Sequence, residues 1–80
     1  MYYSYVLRSI YHDHLYKGHC NNLKKRITEH NSGMTRSIRA FIPYELVYFE
    51  SFEEEAQAIA REKYFKSAAG RRYLKKVLQK

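Results

Sequence analysis

Tyr2-Tyr3-Ser4-Tyr5-Val6-Leu7-Arg8-Ser9 and Leu15-Tyr16-Lys17-Gly18-His19-Cys20 decide the architecture of this chain. Both runs are rich in tyrosine and in apolar or β-branched residues, which suit a pleated and half-buried surface, so each reads as a strand. His12-Asp13-His14 between them supplies a tight polar turn, and the two runs close into a β-hairpin. No Asn-Gly pair fixes the type of that turn.

Beyond the hairpin, Asn21 is a good N-cap, and Leu23 and Ile27 have helical spacing. Asn31-Ser32-Gly33 stops that helix with residues that tolerate left-handed geometry. Ser32 to Pro43 has no steady period and reads as a long basic loop. Tyr44 to Glu50 alternates, which predicts a buried third strand with Leu46 and Tyr48 on one face and Val47 and Phe49 on the other. Ser51 to Glu54 has the form of a capping box, and the Glu53, Glu54 and Glu55 carboxylates suit the positive end of a helix. That helix is expected to run to about Ser67. Gly70 is expected to interrupt before a short amphipathic helix bearing Tyr73, Leu74, Val77 and Leu78. The predicted class is α/β (more narrowly α+β), a small three-stranded antiparallel sheet flanked by helices in the order β-β-α-β-α-α. Residues 1–80 are expected to form one domain, since 80 residues leave no room for a second core.

Composition narrows the function classes. The chain has 9 Tyr, no Trp and one cysteine, Cys20, so no intramolecular disulfide is available to it. No segment approaches the roughly 20 apolar residues of a membrane span, and Met1 to Tyr5 lacks the basic start of a secretory signal. A cytoplasmic, reducing setting is the expectation. Net charge is +7. Between Lys17 and Arg39 stand Lys17, Lys24, Lys25, Arg26, Arg36 and Arg39 against the single acid Glu29. Arg71, Arg72, Lys75, Lys76 and Lys80 then close the chain with no acid among them. Such asymmetry is the footprint of a nucleic-acid partner, because each Lys or Arg beside a phosphate releases a condensed counterion. Solvated surface charge is the plainer account.

Three residues stand out chemically. Arg26 and His30 are four apart on the predicted helix and share a face with Leu23 and Ile27, while Lys24, Lys25, Thr28 and Glu29 point elsewhere. Taken alone they read as a snorkelling arginine and a hydrogen-bonded core histidine. Glu62 sits beside Ala58, Ile59, Phe65 and Lys66 on a helix face. A carboxylate in an apolar stripe is costly unless it is paired, here with Lys66 or Arg26, or coordinates a metal. The other acids form no convergent set of the kind a two-metal centre requires. His12 and His14 with Cys20 do not make a zinc spacing, and Cys20 reads as a small packed residue.

Tyr3-Ser4-Tyr5 and Tyr16-Lys17-Gly18, followed by Asn22-Leu23-Lys24-Lys25-Arg26-Ile27, Glu29-His30-Asn31-Ser32-Gly33, Pro43-Tyr44-Glu45-Leu46-Val47-Tyr48 and Ala60-Arg61-Glu62-Lys63, give the chain a resemblance to the GIY-YIG nucleases over roughly residues 2 to 67. It looks most like the small stand-alone bacterial members, and it resembles the N-terminal nuclease domain of the excision-repair endonuclease. The resemblance implies a metal-dependent DNA endonuclease of low sequence specificity, active in repair or recombination, with one Mg²⁺ (or Mn²⁺) as cofactor. It implies catalytic roles for Tyr5, Tyr16, Arg26 and His30, a metal-binding role for Glu62, and an assisting role for His19, which falls where some relatives carry a nucleophile-activating lysine. Gly18 matches the glycine that lets backbone approach phosphate, and Lys17 adds a phosphate contact. Ser4 and Lys17 replace the usual apolar centres of the two tripeptides, Tyr3 replaces the first glycine, and Cys20 a frequent threonine.

The chemistry is coherent on its own. Water attacking a phosphodiester needs a base, neutralisation of the phosphorane, and help for the leaving oxygen. A tyrosine with a reference pKa near 10 needs assistance to act as the base, and the sequence leaves Tyr5 and Tyr16 equal candidates. Arg26 can donate two parallel hydrogen bonds to phosphate. The expected partner is DNA, with RNA not excluded and no membrane, and the short chain leaves room for a partner protein or homodimer that supplies specificity. The rival reading is a nucleic-acid-binding module of the same fold that cleaves weakly or not at all.

Overall fold

The computed structural model describes residues 1–79, Ser37 by its backbone only, so Lys80 of the basic C-terminal group lies outside the described residues. The elements are β1 (Tyr2–Ser9), β2 (Leu15–Cys20), α1 (Leu23–Asn31), a 3₁₀ helix (Arg36–Phe41), β3 (Tyr44–Phe52), α2 (Glu55–Lys66) and α3 (Ala68–Leu78). They follow the β-β-α-β-α-α order, with the 3₁₀ helix inside what reads from sequence as a long loop. The sheet is antiparallel with β1 in the centre, in the order β2-β1-β3.

Because side chains alternate along a strand, β1 serves two cores at once. Tyr5 and Leu7 pack on one face with Cys20, Ile38 and Tyr44, against Leu23 and Ile27 of α1. Val6 packs on the other with Phe65 of α2 and Leu74 of α3. Ser4 is fully buried on that second side, and its hydroxyl donates to the Ala58 carbonyl of α2 at 2.6 Å. Where an apolar residue would only fill space, this serine fastens strand to helix.

Four local expectations need correction. The cap of α1 is Asn22, not Asn21: its side chain accepts from the Lys25 amide at 3.1 Å. The cap of α2 is Glu54, not Ser51. Ser51 is engaged in the ladder opposite Tyr3, and the reciprocal capping box joins Glu54 to Gln57. β3 is a half-exposed edge strand rather than a buried one, and a register shift opposite Val6 and Leu7 changes its facing. Leu46 joins the α1-side core, Val47 and Tyr48 both join the α2–α3 side, and Phe49 returns to meet Tyr3. The extra residue of a bulge breaks strict alternation. Gly70 does not interrupt: it lies in the first turn of α3, where a Cβ would fall 1.7 Å from the Tyr64 carbonyl oxygen. Glycine is there for the close approach of α3 to the end of α2. Between those helices Ser67 ends one and caps the other, accepting from the Gly70 amide at 3.0 Å.

The stop of α1 is as expected, with Gly33 at φ 84°. Asn31 adds a tie to β3, accepting from the Tyr44 amide at 2.7 Å and donating to its carbonyl at 3.0 Å. Among the described residues no helix is long and apolar enough to cross a membrane.

Candidate active site

Tyr5 and Gly18 are direct partners across β1 and β2, and the phenol of Tyr5 lies over the glycine. A Cβ at position 18 would stand 2.6 Å from the Tyr5 hydroxyl, so glycine here makes room for that ring. This is a different reason for Gly18 from the close phosphate approach expected of it. The Tyr5 hydroxyl meets Nε2 of His30 at 2.9 Å, and Nδ1 of His30 meets the Thr35 hydroxyl at 2.8 Å. A neutral imidazole donates through one nitrogen and accepts through the other, so the buried chain is satisfied in either tautomer. Burial, then the Arg26 charge, push the His30 pKa down, with Glu29 opposing, and the ring stays neutral. Burial, then Tyr16, push the Tyr5 hydroxyl well above its ordinary range, with Arg26 opposing. Both residues are shut from solvent. Tyr16 is half-buried, with its ring 4.8 Å from that of His30 and 6.2 Å from that of Tyr5. The hydroxyl of Tyr44 on this face is buried with no hydrogen-bond partner among the described residues.

Arg26 does not turn fully toward the sheet. Its side chain is 45% exposed, and its Nε stands 3.7 Å from a carboxylate oxygen of Glu29, which was expected to point away. Residues three apart on a helix are neighbours, and a long arginine reaches the carboxylate without burying itself. Beside it lies a cavity of about 100 Å³ lined also by Cys20, Asn22 and Lys25. Burial pushes the Cys20 thiol up, which suits packing and not nucleophilic attack.

Glu62 approaches from the other side of the sheet. Lys17 and His19 alternate with Tyr16 and Gly18 along β2 and so face α2. Nδ1 of His19 meets one oxygen of Glu62 at 2.6 Å, and Nζ of Lys66 donates to the other at 2.8 Å. The glutamate side chain is 18% exposed. Burial works to raise its pKa, but the hydrogen bonds from Lys66 and His19 outweigh it and hold the carboxyl below its ordinary value. The groups expected at the site therefore reach β2 from both faces, and the Tyr5 hydroxyl lies in the fields of Arg26 and Glu62 alike. Glu62 fits a hard divalent cation: it is a single ionised carboxylate, part-buried yet open to water, which suits an ion that keeps most of its waters. The plainer expectation for Glu62, an ion pair with Lys66 or Arg26, is met by Lys66.

The basic residues are divided. Lys24, Lys25, Arg36, Arg71, Arg72, Lys75 and Lys76 are exposed, while Arg39 donates from Nε to the Gly33 carbonyl at 3.0 Å and so braces the turn after α1. The largest polar network went unread in the sequence. Arg61 holds Glu50 through both oxygens, at 2.9 and 3.2 Å, and the Tyr48 hydroxyl joins Glu50 to Tyr73. The guanidinium also stands 4.6 Å from the ring centre of Tyr64. The available signal was a lone acid at the end of an apolar strand with an arginine in the following helix.

A hairpin sets two tyrosines around a glycine, with an arginine and an ionised glutamate arriving from separate helices, and the family that the chain matches is one of nuclease-type catalytic domains. This chain belongs to the GIY-YIG family, whose catalytic domain matches residues 1–75. The chain is 45% identical over 67 residues to a UPF0213 protein of Clostridium perfringens, a match covering 82% of this chain and 71% of that protein. A UPF0213 protein of Pediococcus acidilactici is 40% identical over 65 residues, covering 76% of this chain and 65% of that protein. One from Bacillus licheniformis is 42% identical over 65 residues, covering 80% and 66%. The chain thus spans about two thirds of the length of these relatives. No solved structure matches it. Nucleases of this family generally use divalent metal ions.

Proposed function

We propose that this domain is a metal-dependent endonuclease that hydrolyses DNA phosphodiesters with little sequence preference, in repair or recombination. The observation that carries the reading is Glu62: a part-buried carboxylate kept ionised beside β2, the strand that also bears Tyr16. Tyr16 is assigned as the base. Tyr5 is shut from solvent and its raised pKa holds its proton, whereas Tyr16 is part-open and packs on the ring of His30. His30 and Thr35 position Tyr5, whose ring packs beside that of Tyr16. In the deprotonated state Tyr16 takes a proton from the attacking water as the new P–O bond forms. Arg26, exposed and loosely paired, is free to donate to the phosphate oxygens as negative charge builds on them. His19 holds the Glu62 carboxylate in place from β2. A divalent cation held at Glu62 would polarise the phosphate and stabilise the leaving 3′ oxygen.

A second reading rests on the two groups already engaged with Glu62, His19 and Lys66: they serve equally in a nucleic-acid-binding module that does not cleave. The test is nuclease activity on duplex DNA with Mg²⁺ or Mn²⁺, beside Glu62→Gln, with binding measured in EDTA. The enzyme reading expects cleavage by the parent chain, none by Glu62→Gln, and similar binding by both. A parent chain that binds DNA but leaves it intact with either metal establishes the binder. A folded Glu62→Gln protein that still cleaves removes the role given to this residue.

A further inference from the structure

We infer that the nucleic-acid backbone approaches Glu62 along the α2–α3 side of β2, on a track formed by Lys17, Lys66, Arg71 and Lys75. This rests on the nuclease reading above and says where its substrate lies.

Strand geometry supplies the first part of the case. Lys17 and His19 are two apart on β2, so they share the face turned toward α2 and α3. His19 touches Glu62 there, and Lys66 is one helical turn further along α2, bonded to the same carboxylate. Folding then brings α3 alongside. Burial first, then the charges of Arg71 and Lys66, push the Lys17 ammonium pKa down, so both charges act on Lys17. Among the described residues neither Lys17 nor Arg71 is ion-paired with a carboxylate. Lys66 has Glu62 as its counter-ion, but the like charges of Lys17 and Arg71 are left uncompensated and oppose folding, and a polyanion laid across them reverses that sign.

The helix supplies the second part. Arg71 and Lys75 are four apart and form one ridge of α3. Both line a groove of about 370 Å³ whose other wall is Arg8, Asp13 and Leu15 of the hairpin. Asp13 is the one acid on that wall, and it sits in the turn, at the end of β2 away from His19. Arg72 and Lys76 form the next ridge, about 100° around the helix, and do not line this groove. Sequence alone treats the four as one basic group. The fold divides them into a pair that borders β2 and a pair that does not. Nothing on the track is shaped to read base edges, so the ligand chemistry is the phosphodiester backbone itself, shared by DNA and RNA.

Two double variants with the same charge change separate this from general basicity: Arg71→Gln with Lys75→Gln, and Arg72→Gln with Lys76→Gln. Binding to a labelled DNA duplex and an RNA duplex of the same sequence is measured in EDTA between 50 and 200 mM salt, after thermal unfolding confirms each fold. The first variant is expected to bind at least tenfold more weakly and to lose about two from the slope of log K against log salt, since each phosphate contact contributes about 0.9. The second is expected to change less than threefold. Lys17→Gln, one substitution in a different element, is expected to lose about one unit of slope. Equal losses from the two double variants overturn the track, as does a Lys17→Gln protein with unchanged slope. If only the RNA arm responds, the track stands and the DNA substrate of the nuclease reading fails. If the parent chain binds neither duplex, both fall. Because no cleavage is read, loss of activity elsewhere leaves this test intact.

Discussion

On the α2–α3 side of the sheet, Arg61 is gripped through both oxygens of Glu50 and stands 4.6 Å from the centre of the Tyr64 ring. On the α1 side, Arg26 is 45% exposed, with Glu29 no closer than 3.7 Å. Both arginines sit on helices packed against one sheet, and they differ in what their donors have left to do. Arg61 has its fork matched to a carboxylate and its plane covered by aromatics, so its bonds are made before any ligand arrives. Arg26 keeps donors free. The same contrast separates the tyrosines. Tyr48 is bound to Glu50 and Tyr73, and burial, then these bonds, raise its pKa well above the ordinary range, whereas Tyr16 stands part-open beside a neutral histidine. Within each pair, one residue spends its polar groups on the fold and the other keeps them available.

The sharpest way to break this contrast is Tyr16→Phe. Removing the proposed base is expected to lower kcat by roughly 10²–10⁴ while the melting temperature stays within a few degrees. A Tyr16→Phe protein with parental kcat would return the base to Tyr5. The arginines come next. Arg26→Ala is expected to lower kcat about 10²–10³-fold and to change stability by under about 0.5 kcal/mol, as for exposed pairs. Arg61→Ala should do the reverse. It leaves Glu50 part-buried without its partner, at a cost of about 2–3 kcal/mol, or roughly 10–20 °C in melting temperature for a chain of this size. Activity per folded molecule should hold. If both alanines destabilise equally, the two arginines do not differ in the way described.

The smallest effect is a pH dependence that separates the faces. The pKa of His30 is lowered in the fold, so an unfolded chain takes up that proton first, and stability falls as pH drops below about 6.5, the histidine reference value. Glu50 is also lowered: burial alone would raise it, but the bonds from Arg61 and Tyr48 prevail. Its contribution is therefore present above about 4.5, the reference value, and is lost as pH falls through its lower folded value. Urea unfolding from pH 8 to pH 3 is expected to show the α1 side weakening first. His30→Gln should remove the upper limb of the loss and Glu50→Gln part of the lower, the remainder belonging to Glu62. An upper limb that persists in His30→Gln would mean His30 is not buried neutral.

The element order was legible because tyrosine-rich runs, an asparagine cap and a glycine stop are local signals. What misled was decided at a distance. Ser51 has the side chain of a cap, but its backbone is claimed by the ladder opposite Tyr3. Tyr48 shares a face with Leu46 on paper, and a bulge places it on the opposite face. Gly70 resembles a breaker until the Tyr64 carbonyl is seen beneath it. At the site, the helical spacing of Arg26 and His30 was readable, but their separate fates were not, since Tyr5 and Thr35 come from elsewhere to bury the histidine. The Glu50–Arg61 network had only a faint local signal, because its partners too come from separate elements.

The central position of β1 has a consequence in time. Its first partner, β2, follows at once, but the hydroxyl of Ser4 waits for Ala58, 54 residues on. Val6 waits longer, for Phe65 and Leu74. During synthesis the hairpin and α1 therefore exist with one face of their central strand bare, and a hairpin alone is marginal in water. Closing a loop of that length must precede the contacts that reward it. The strand made first is the one finished last, so a ribosome-stalled chain ending before α2 should be digested by protease as readily as an unfolded one.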